Sequence, residues 1–413
     1  MKQYEKYKET GIEWIDEIPS NWDFKKIKYS ATINDETLPE TTDENYEINY
    51  VDISSIDKGK IASQEIYRFI DAPSRARRKV KHGDVIVSTV RTYLKAIARI
   101  KKPEPNLIVS TGFAVVRPIE LHPDYLGNLV LSEYFIGEII SRSVGVSYPS
   151  INSSEIGEIK IPIPPQSEQT AIANYLDEKT TQIDKLISNK QKLIELLIEE
   201  RTSFINEAVS GKGKNWESKK LKFVAKKVQT GSTPPSNEEQ YYVEEINWFT
   251  PSDFSEKLFL QNSKRKIAEL AVIDGVVKRF PENSVLFVGI GATLGKVGYI
   301  IEPSTSNQQI NCLSFRSKEE AIFYANYFYS NQPNIVALAN AATLPILNQS
   351  QMKDIMLPIP SSVDELKTTI QYIQNETQRI DNTISKVENE IELMQEYKTA
   401  LISEVVTGKI KVI

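Results

Sequence analysis

The sequence predicts an α+β protein. It contains two similar domains of mixed strands and short helices, joined by two long antiparallel coiled-coil helices in a pseudo-twofold arrangement. The first observation is a repeat. IPIPPQSEQTAIANYLDEKTTQIDKLI, from Ile161, returns from Leu357 as LPIPSSVDELKTTIQYIQNETQRIDNTI. Ile183-Asp184 and Ser210-Gly211-Lys212 reappear, 197 residues on, as Ile380-Asp381 and Thr407-Gly408-Lys409. The second is that the preceding segments repeat too: Asn21-Trp22 with Lys25–Tyr29 matches Asn215-Trp216 with Lys219–Phe223. The third is a heptad seam following each proline-rich strand. Two copies of one unit invite a partner that is itself two-part.

Five segments follow in order. Residues 1–21 form an N-terminal segment expected to pack near the C-terminal end. Residues 22–165 are the first domain, 166–214 the first long helix, 215–360 the second domain and 361–413 the second long helix. In the first domain, Asp84–Thr89 reads as a buried strand with Lys95–Ile100 as its hairpin partner. Phe113–Arg117 follows as a strand and Leu126–Ser141 as a helix. Their counterparts are Ser284–Val288, Lys296–Ile301, Cys312–Arg316 and a helix from Ser317 to about Asn331. A shared loop closes each domain: Ser147-Tyr148-Pro149-Ser150-Ile151-Asn152, then Thr343-Leu344-Pro345-Ile346-Leu347-Asn348.

The first helical seam is Leu176, Thr180, Ile183, Ile187, Lys190, Ile194, Leu197, Arg201, Phe204 and Ala208. The second is Ile373, Thr377, Ile380, Ile384, Val387, Ile391, Met394, Lys398, Leu401 and Val405. Ser362 with Glu365 makes a capping box, and Ser167 stands at the equivalent entry. Gly211 and Gly408 occupy left-handed C-cap positions. Each helix then spans about 40 residues, or ~60 Å. Packing the seams together requires antiparallel helices, with the domains at opposite ends and the chain termini close. Lys190, Arg201 and Lys398 interrupt the seam; they either fix register or face a partner's helix.

The 413 residues are 40% hydrophobic and 25% charged, the profile of an ordinary water-soluble protein of several domains. One cysteine, Cys312, leaves no internal disulfide framework and suits a reducing compartment. No apolar run approaches the ~18 residues of a membrane span, and the opening MKQYEKYKETGIEW lacks a signal-peptide core. A cytoplasmic protein without a membrane partner is expected. Net charge is −5, which argues mildly against nucleic acid. The distribution argues the other way. From Arg68 to Lys102 the chain carries Arg68, Arg75, Arg77, Arg78, Lys79, Lys81, Arg91, Lys95, Arg99, Lys101 and Lys102, against Asp71 and Asp84. A solvated face and a polyanion-binding surface explain that run equally well.

Imitations of catalytic motifs fail on inspection. Gly289 to Lys296 has the glycines of a phosphate loop but the wrong spacing, and Val297 stands where Ser or Thr is required. No Asn/Asp-Pro-Pro-aromatic tetrad accompanies Phe287–Gly291 to orient an amine for methyl transfer. Pro123-Asp124 with Glu158-Ile159-Lys160 resembles a nuclease site, but the second copy has Met356 for the lysine. His82 and His122 lack ligand-spaced companions. Binding is the better class than catalysis, with no metal site and no cofactor held by the chain.

The binding candidates are basic and amide residues near strand ends. In the first domain they are Arg77, Arg78, Lys79, Arg91, Tyr93 and Lys95, with Tyr148 and Asn152. In the second they are Lys278, Arg279, Thr293, Lys296, Asn307, Gln308 and Gln309, with Asn348. Lys and Arg neutralise phosphates. Arg also bridges guanine O6 and N7, and Asn or Gln bridges adenine N6 and N7. Each polar turn here has a purely structural reading of equal weight.

GIEWIDEIPSNW at 11–22, IKIPIPPQSEQTAIANYLDEKTTQID at 159–184 and NWESKKLKFVAKKVQTGSTPP at 215–235 resemble the specificity subunits of type I restriction–modification systems. FVGIGATLGKVGYI at 287–300, SNQQINCLSF at 306–315 and MLPIP at 356–360 add to the likeness, which covers nearly the whole chain. Ser361, Ser362 and Leu366 depart from the IPxPPxxEQ pattern in the second copy. The resemblance implies two target-recognition domains, each reading half of a bipartite site in double-stranded DNA. It implies two methyltransferase subunits docked on the long helices, at Leu176, Ile183, Lys190, Leu197, Arg201, Ile373, Ile380, Val387, Met394 and Lys398. S-adenosylmethionine, ATP and Mg then belong to methyltransferase and restriction/translocase partners. The competing expectation is a structural adaptor whose repeated domains bind proteins.

Overall fold

The computed structural model describes residues 2–12, 15–57, 59–255, 257–339 and 345–412. Contacts divide the chain into Met1–Lys190 with Glu388–Ile413, and Gln191–Val387. The division runs through both long helices rather than at their ends, because each helix end packs on the domain it adjoins.

The first unit holds two four-stranded sheets. One has the order Ile97–Arg99, Val85–Ser88, Phe113–Pro118, Ala31–Ile33; the other Glu65–Arg68, Glu47–Val51, Leu107–Ser110, Ala76–Lys79. Strand alternation splits the core. Val85, Val87, Ala114 and Val116 face a layer containing Tyr125, Leu126 and Phe135, closed by Ile172 and Leu176 of one long helix and Leu401 and Val405 of the other. Ile86, Phe113 and Val115 face the opposite way, onto Val51 and Val109 of the second sheet. The second unit repeats the scheme. Val285, Phe287 and Leu313 face helical residues including Phe323, Phe328, Ile205 and Ile370. Leu286, Val288 and Cys312 face Phe249 and Phe280.

Cys312 is fully buried, and burial pushes its thiol up to about 11. A thiol reagent at pH 8 should therefore label it only on unfolding; rapid labelling of native protein would contradict this packing.

The long helices are Gln166–Ser210, 45 residues, and Val363–Val406, 44 residues. Their segments pair antiparallel in each unit. In the first, Lys398 meets Asp184 at 2.5 Å and Lys190 meets Glu390. In the second, Arg201 meets Asp381 at 2.6 Å, and Phe204 packs on Tyr372 with ring centroids 4.9 Å apart. The three cations that interrupt the seam are thus interhelical partners. They pin register, because a slipped helix would strand each half-buried charge.

The repeated Gly and Trp explain each other. Gly211 and Gly408 have φ of 70° and 78°. A Cβ on Gly211 would lie 2.7 Å from the Trp216 ring, and one on Gly408 2.3 Å from Pro19 and 3.2 Å from Trp22. The Glu-Gln of the first copy is also structural. Glu168 accepts a hydrogen bond from the Trp22 indole at 3.0 Å, and Gln169 accepts one from the His122 amide at 2.8 Å. Near the termini, Lys2 bridges Lys411 and the Tyr7 hydroxyl donates to the Gly408 carbonyl.

Three local expectations change. Leu126–Ser141 is two helices, Pro123–Leu129 and Glu133–Ser141, because Ser132 caps the second by accepting from the Phe135 amide. Ser167 lies inside the first helix, whose entry is made by Pro165 accepting from the Glu168 and Gln169 amides. Ser362 does cap the second helix, accepting from the Glu365 amide at 3.1 Å. Lastly, Val87 pairs with Ile97 and Phe287 with Val297. Lys296 therefore corresponds to Ala96, and the counterpart of Lys95 is Gly295.

Candidate nucleic-acid interface

Each unit ends its central hairpin in a loop held by the same hydrogen bonds. Arg91 N–H donates to the Pro149 carbonyl at 2.7 Å, and Gly291 to Pro345 at 3.4 Å. Ile151 N–H donates to Thr89, and Leu347 to Gly289, at 2.9 and 2.8 Å. Leu94 closes a turn on Arg91 just as Leu294 does on Gly291. The shared-loop residues Thr343 and Leu344 lie outside the described residues.

The two frames carry different chemistry. Arg91 and Lys95 hold φ of 50° and 52°, in the left-handed region, where the second unit has Gly291 and Gly295 at 99° and 88°. Side chains in that region cost about 1 kcal/mol or more, and such strain collects at functional sites. In the first unit the frame presents exposed Arg91 over the Tyr148 ring, centroid distance 5.0 Å, with exposed Tyr93 and Lys95 beside it. Asn152 is exposed and makes no capping bond to the helix it precedes.

Arg77, Arg78 and Lys79 lie half-buried on the edge strand Ala76–Lys79. Arg77 stacks on Phe69 at 4.5 Å. Arg78 Nε is buried without a partner among the described residues, and burial lowers its pKa. One turn joins this strand to the loop: Thr111 N–H donates to Arg75, and Thr89 N–H to Gly112, both at 2.8 Å. Arg75, exposed at that junction, belongs with the candidates although the sequence does not single it out. The basic run divides accordingly. Arg68, Lys81, Arg99 and Lys101 pair with Asp71, Glu36, Asp124 and Asp177. Among the described residues, Arg75, Arg77, Arg78, Lys79, Arg91 and Lys95 have no carboxylate at ion-pair distance.

In the second unit Gln309 lies beside Gly291, its Nε2 3.5 Å from where a Cβ would stand. Asn307 is 9% exposed and orients it: Asn307 Nδ2 donates to Gln309 Oε1 at 3.0 Å and Oδ1 accepts from the Gln309 amide. Gln308 is exposed and accepts from the Thr233 hydroxyl. Lys278 donates to the Thr230 carbonyl at 3.2 Å. Three candidates are engaged elsewhere. Lys296 reaches the Phe254 carbonyl at 3.2 Å, Arg279 pairs with Glu269, and Asn348 caps Gln349–Lys353 by accepting from Ser350 and Gln351. Thr293, half-buried, stands at the Tyr93 position of the loop.

On the helices, Leu176, Ile183, Ile373, Ile380 and Val387 are buried and Leu197 and Met394 half-buried; Leu176, Ile183 and Met394 belong to the core of the first unit and Ile373 to that of the second. Apolar residues left exposed off the seam include Leu186, Leu193 and Leu196 on the first helix and Leu393 and Tyr397 on the second. Among the described residues no helix is long and apolar enough to cross a membrane.

These features define a class: paired sheet domains with matched loop frames, carried on shared long helices. The comparisons are specific. The type I restriction modification DNA specificity domain model matches residues 19–196 and 213–402. The MjaIX specificity subunit of Methanocaldococcus jannaschii is 25% identical, covering 98% of this chain and 96% of that protein. The HindI specificity subunit of Haemophilus influenzae is 22% identical, covering 87% and 94%. A structure described as underlying assembly and conformational transition of the type I R-M system matches with TM-score 0.73 at 21% identity, over 95% of this chain and 99% of that one. The HsdS subunit of Thermoanaerobacter tengcongensis gives 0.53 at 21%, over 95% and 98%. The chain belongs to the type I restriction–modification specificity-subunit family, whose members recognise DNA and leave catalysis to other subunits.

Proposed function

We propose that the chain reads a bipartite site in double-stranded DNA, one half-site per unit, with the long helices setting the spacer. The observation that carries this reading is the pair of matched loop frames bearing unlike side chains, as two different half-sites require. In the first unit Arg75, Arg77 and Lys95 engage phosphates, and Arg91, braced on Tyr148, reaches a guanine edge. In the second, Gln309 and Gln308 present amides to adenine, with Lys278 on the backbone. Two methyltransferase subunits dock on the off-seam residues Leu186, Leu193, Leu196, Leu393 and Tyr397. They bring S-adenosylmethionine to a flipped base. Restriction/translocase subunits bring ATP and Mg, in the cytoplasm where the DNA lies.

Selection of random duplexes by the reconstituted methyltransferase complex tests this. Two short motifs separated by a fixed unspecified gap are expected. One continuous motif, or none, would refute it, and salt-insensitive binding would favour a protein adaptor.

A further inference from the structure

The second unit contains a basic cleft of about 470 Å³ that the reading loop does not use. Lys226, Lys227, Arg279, Arg316 and Lys318 line it, against one carboxylate, Glu282. Arg279 is bridged to Glu269. Among the described residues the other four cations have no carboxylate at ion-pair distance. The cleft lies where Lys227, Ser284 and Ser314 end their strands, whereas the reading loop follows the far end of Ser284–Val288.

The same corner of the first unit shows what is missing. Val85 pairs with Val116, and Val285 with Leu313, so Asp84 corresponds to Ser284 and Arg117 to Ser314. Asp84, 1% exposed, meets Arg117 at 2.8 Å, and Arg117 also reaches Asp35 and Glu36, each at 2.8 Å. That corner neutralises itself. In the second unit two serine hydroxyls 3.1 Å apart replace the ion pair, and the cleft beside them carries five cations against one lining carboxylate, Glu282.

We infer that this cleft binds a phosphate-bearing ligand of about nucleotide size. Cations lining one cleft are best balanced by a compact polyanion, and phosphate accepts Lys and Arg together. The volume suits a small-molecule site. Its walls add a buried amide, Gln229, and the Phe315 ring, which stacks on Tyr324 with centroids 4.8 Å apart. The helix Lys318–Ser330 begins at the rim, but Ser317 caps it and Glu319 and Glu320 stand in its first turn, so the cations and not the helix end make the site.

Phosphate could come from a free nucleotide or from a nucleic-acid backbone, and one experiment separates them. Inorganic phosphate, ADP and a duplex lacking the half-sites are titrated against the full chain at constant ionic strength. The same is done with the double variants Lys227→Gln/Lys318→Gln and Lys226→Gln/Arg316→Gln. A Tm rise of at least about 2 °C with ADP or phosphate, lost in both variants, assigns a small ligand. No response to small anions, but duplex binding at least about tenfold weaker and a log–log salt slope flatter by about 2 in both variants, assigns a backbone phosphate. Variants that match the parent with all three probes overturn the inference. The bipartite preference should survive in either variant, so failure here is distinct from failure of half-site reading.

Discussion

Glycine at position 95 is expected to stabilise the chain and to weaken the first half-site. Lys95 holds a left-handed backbone that its counterpart, Gly295, adopts freely. Relief of strain worth about 1 kcal/mol or more is partly offset by the entropy glycine gains when unfolded. A net gain of about 0.5–1 kcal/mol should raise the Tm of a cooperative unit of about 200 residues by about 1–4 °C. Lys95→Ala keeps the strain and should show no such rise, so the glycine–alanine difference isolates the backbone effect. Arg91→Gly should be nearly neutral in stability, because it also loses the contact with Tyr148. For DNA the direction reverses. Arg91→Gly removes a candidate guanine contact worth about 1–3 kcal/mol, or about 5- to 150-fold in affinity, with preference relaxed at one position. Lys95→Gly should weaken binding evenly across sequences and flatten the salt slope by about 1. Thermal denaturation with binding to half-site variants checks all five outcomes. Loss of stability in parallel with loss of binding would make both residues structural and remove them from the interface. The second half-site should be read normally throughout.

Removing one heptad from each long helix should shorten the preferred spacer by about three base pairs. Residues 187–193 and 387–393 are the matched pair, since deletion there removes Lys190 with Glu390 and leaves Asp184–Lys398 and Arg201–Asp381 to hold register. Seven residues at ~1.5 Å each remove about 10 Å, against about 34 Å for ten base pairs. Deletion from one helix alone should fail to fold, because half-buried charges would face apolar seam positions. Sequencing the DNA selected by the doubly deleted complex measures the spacer. An unchanged gap in a folded, binding-competent variant would end the idea that helix length is the ruler.

Fold and interface were not equally legible. The heptad seam was visible because helical packing repeats every 3.5 residues, and each of its positions is at least half-buried. The glycines at 211 and 408 were visible because few other residues hold that backbone. The reading loops were legible only in outline. Aligning Lys95 with Lys296 matched like residue types, whereas strand pairing places Gly295 there. An ungapped comparison at an offset of 200 residues, taken from Val87 and Phe287, would have exposed the Arg91–Gly291 exchange. Charge counting failed for a related reason: Lys81, Arg99 and Lys101 of the basic run find carboxylates contributed by distant segments.

By itself the sequence determined the duplication, the long helices, their antiparallel register and the family, because each rests on periodicity or on motifs contiguous in the chain. Only the tertiary structure decided which charges remain available for a polyanion. It engages Asn348, Arg279 and Lys296 elsewhere, leaves Arg75 and Gln309 at the loops, and opens a basic corner in one unit where the other is neutral. The physical reason is that the free charge at a surface is a sum over neighbours in space, and those neighbours come from segments far apart along the chain.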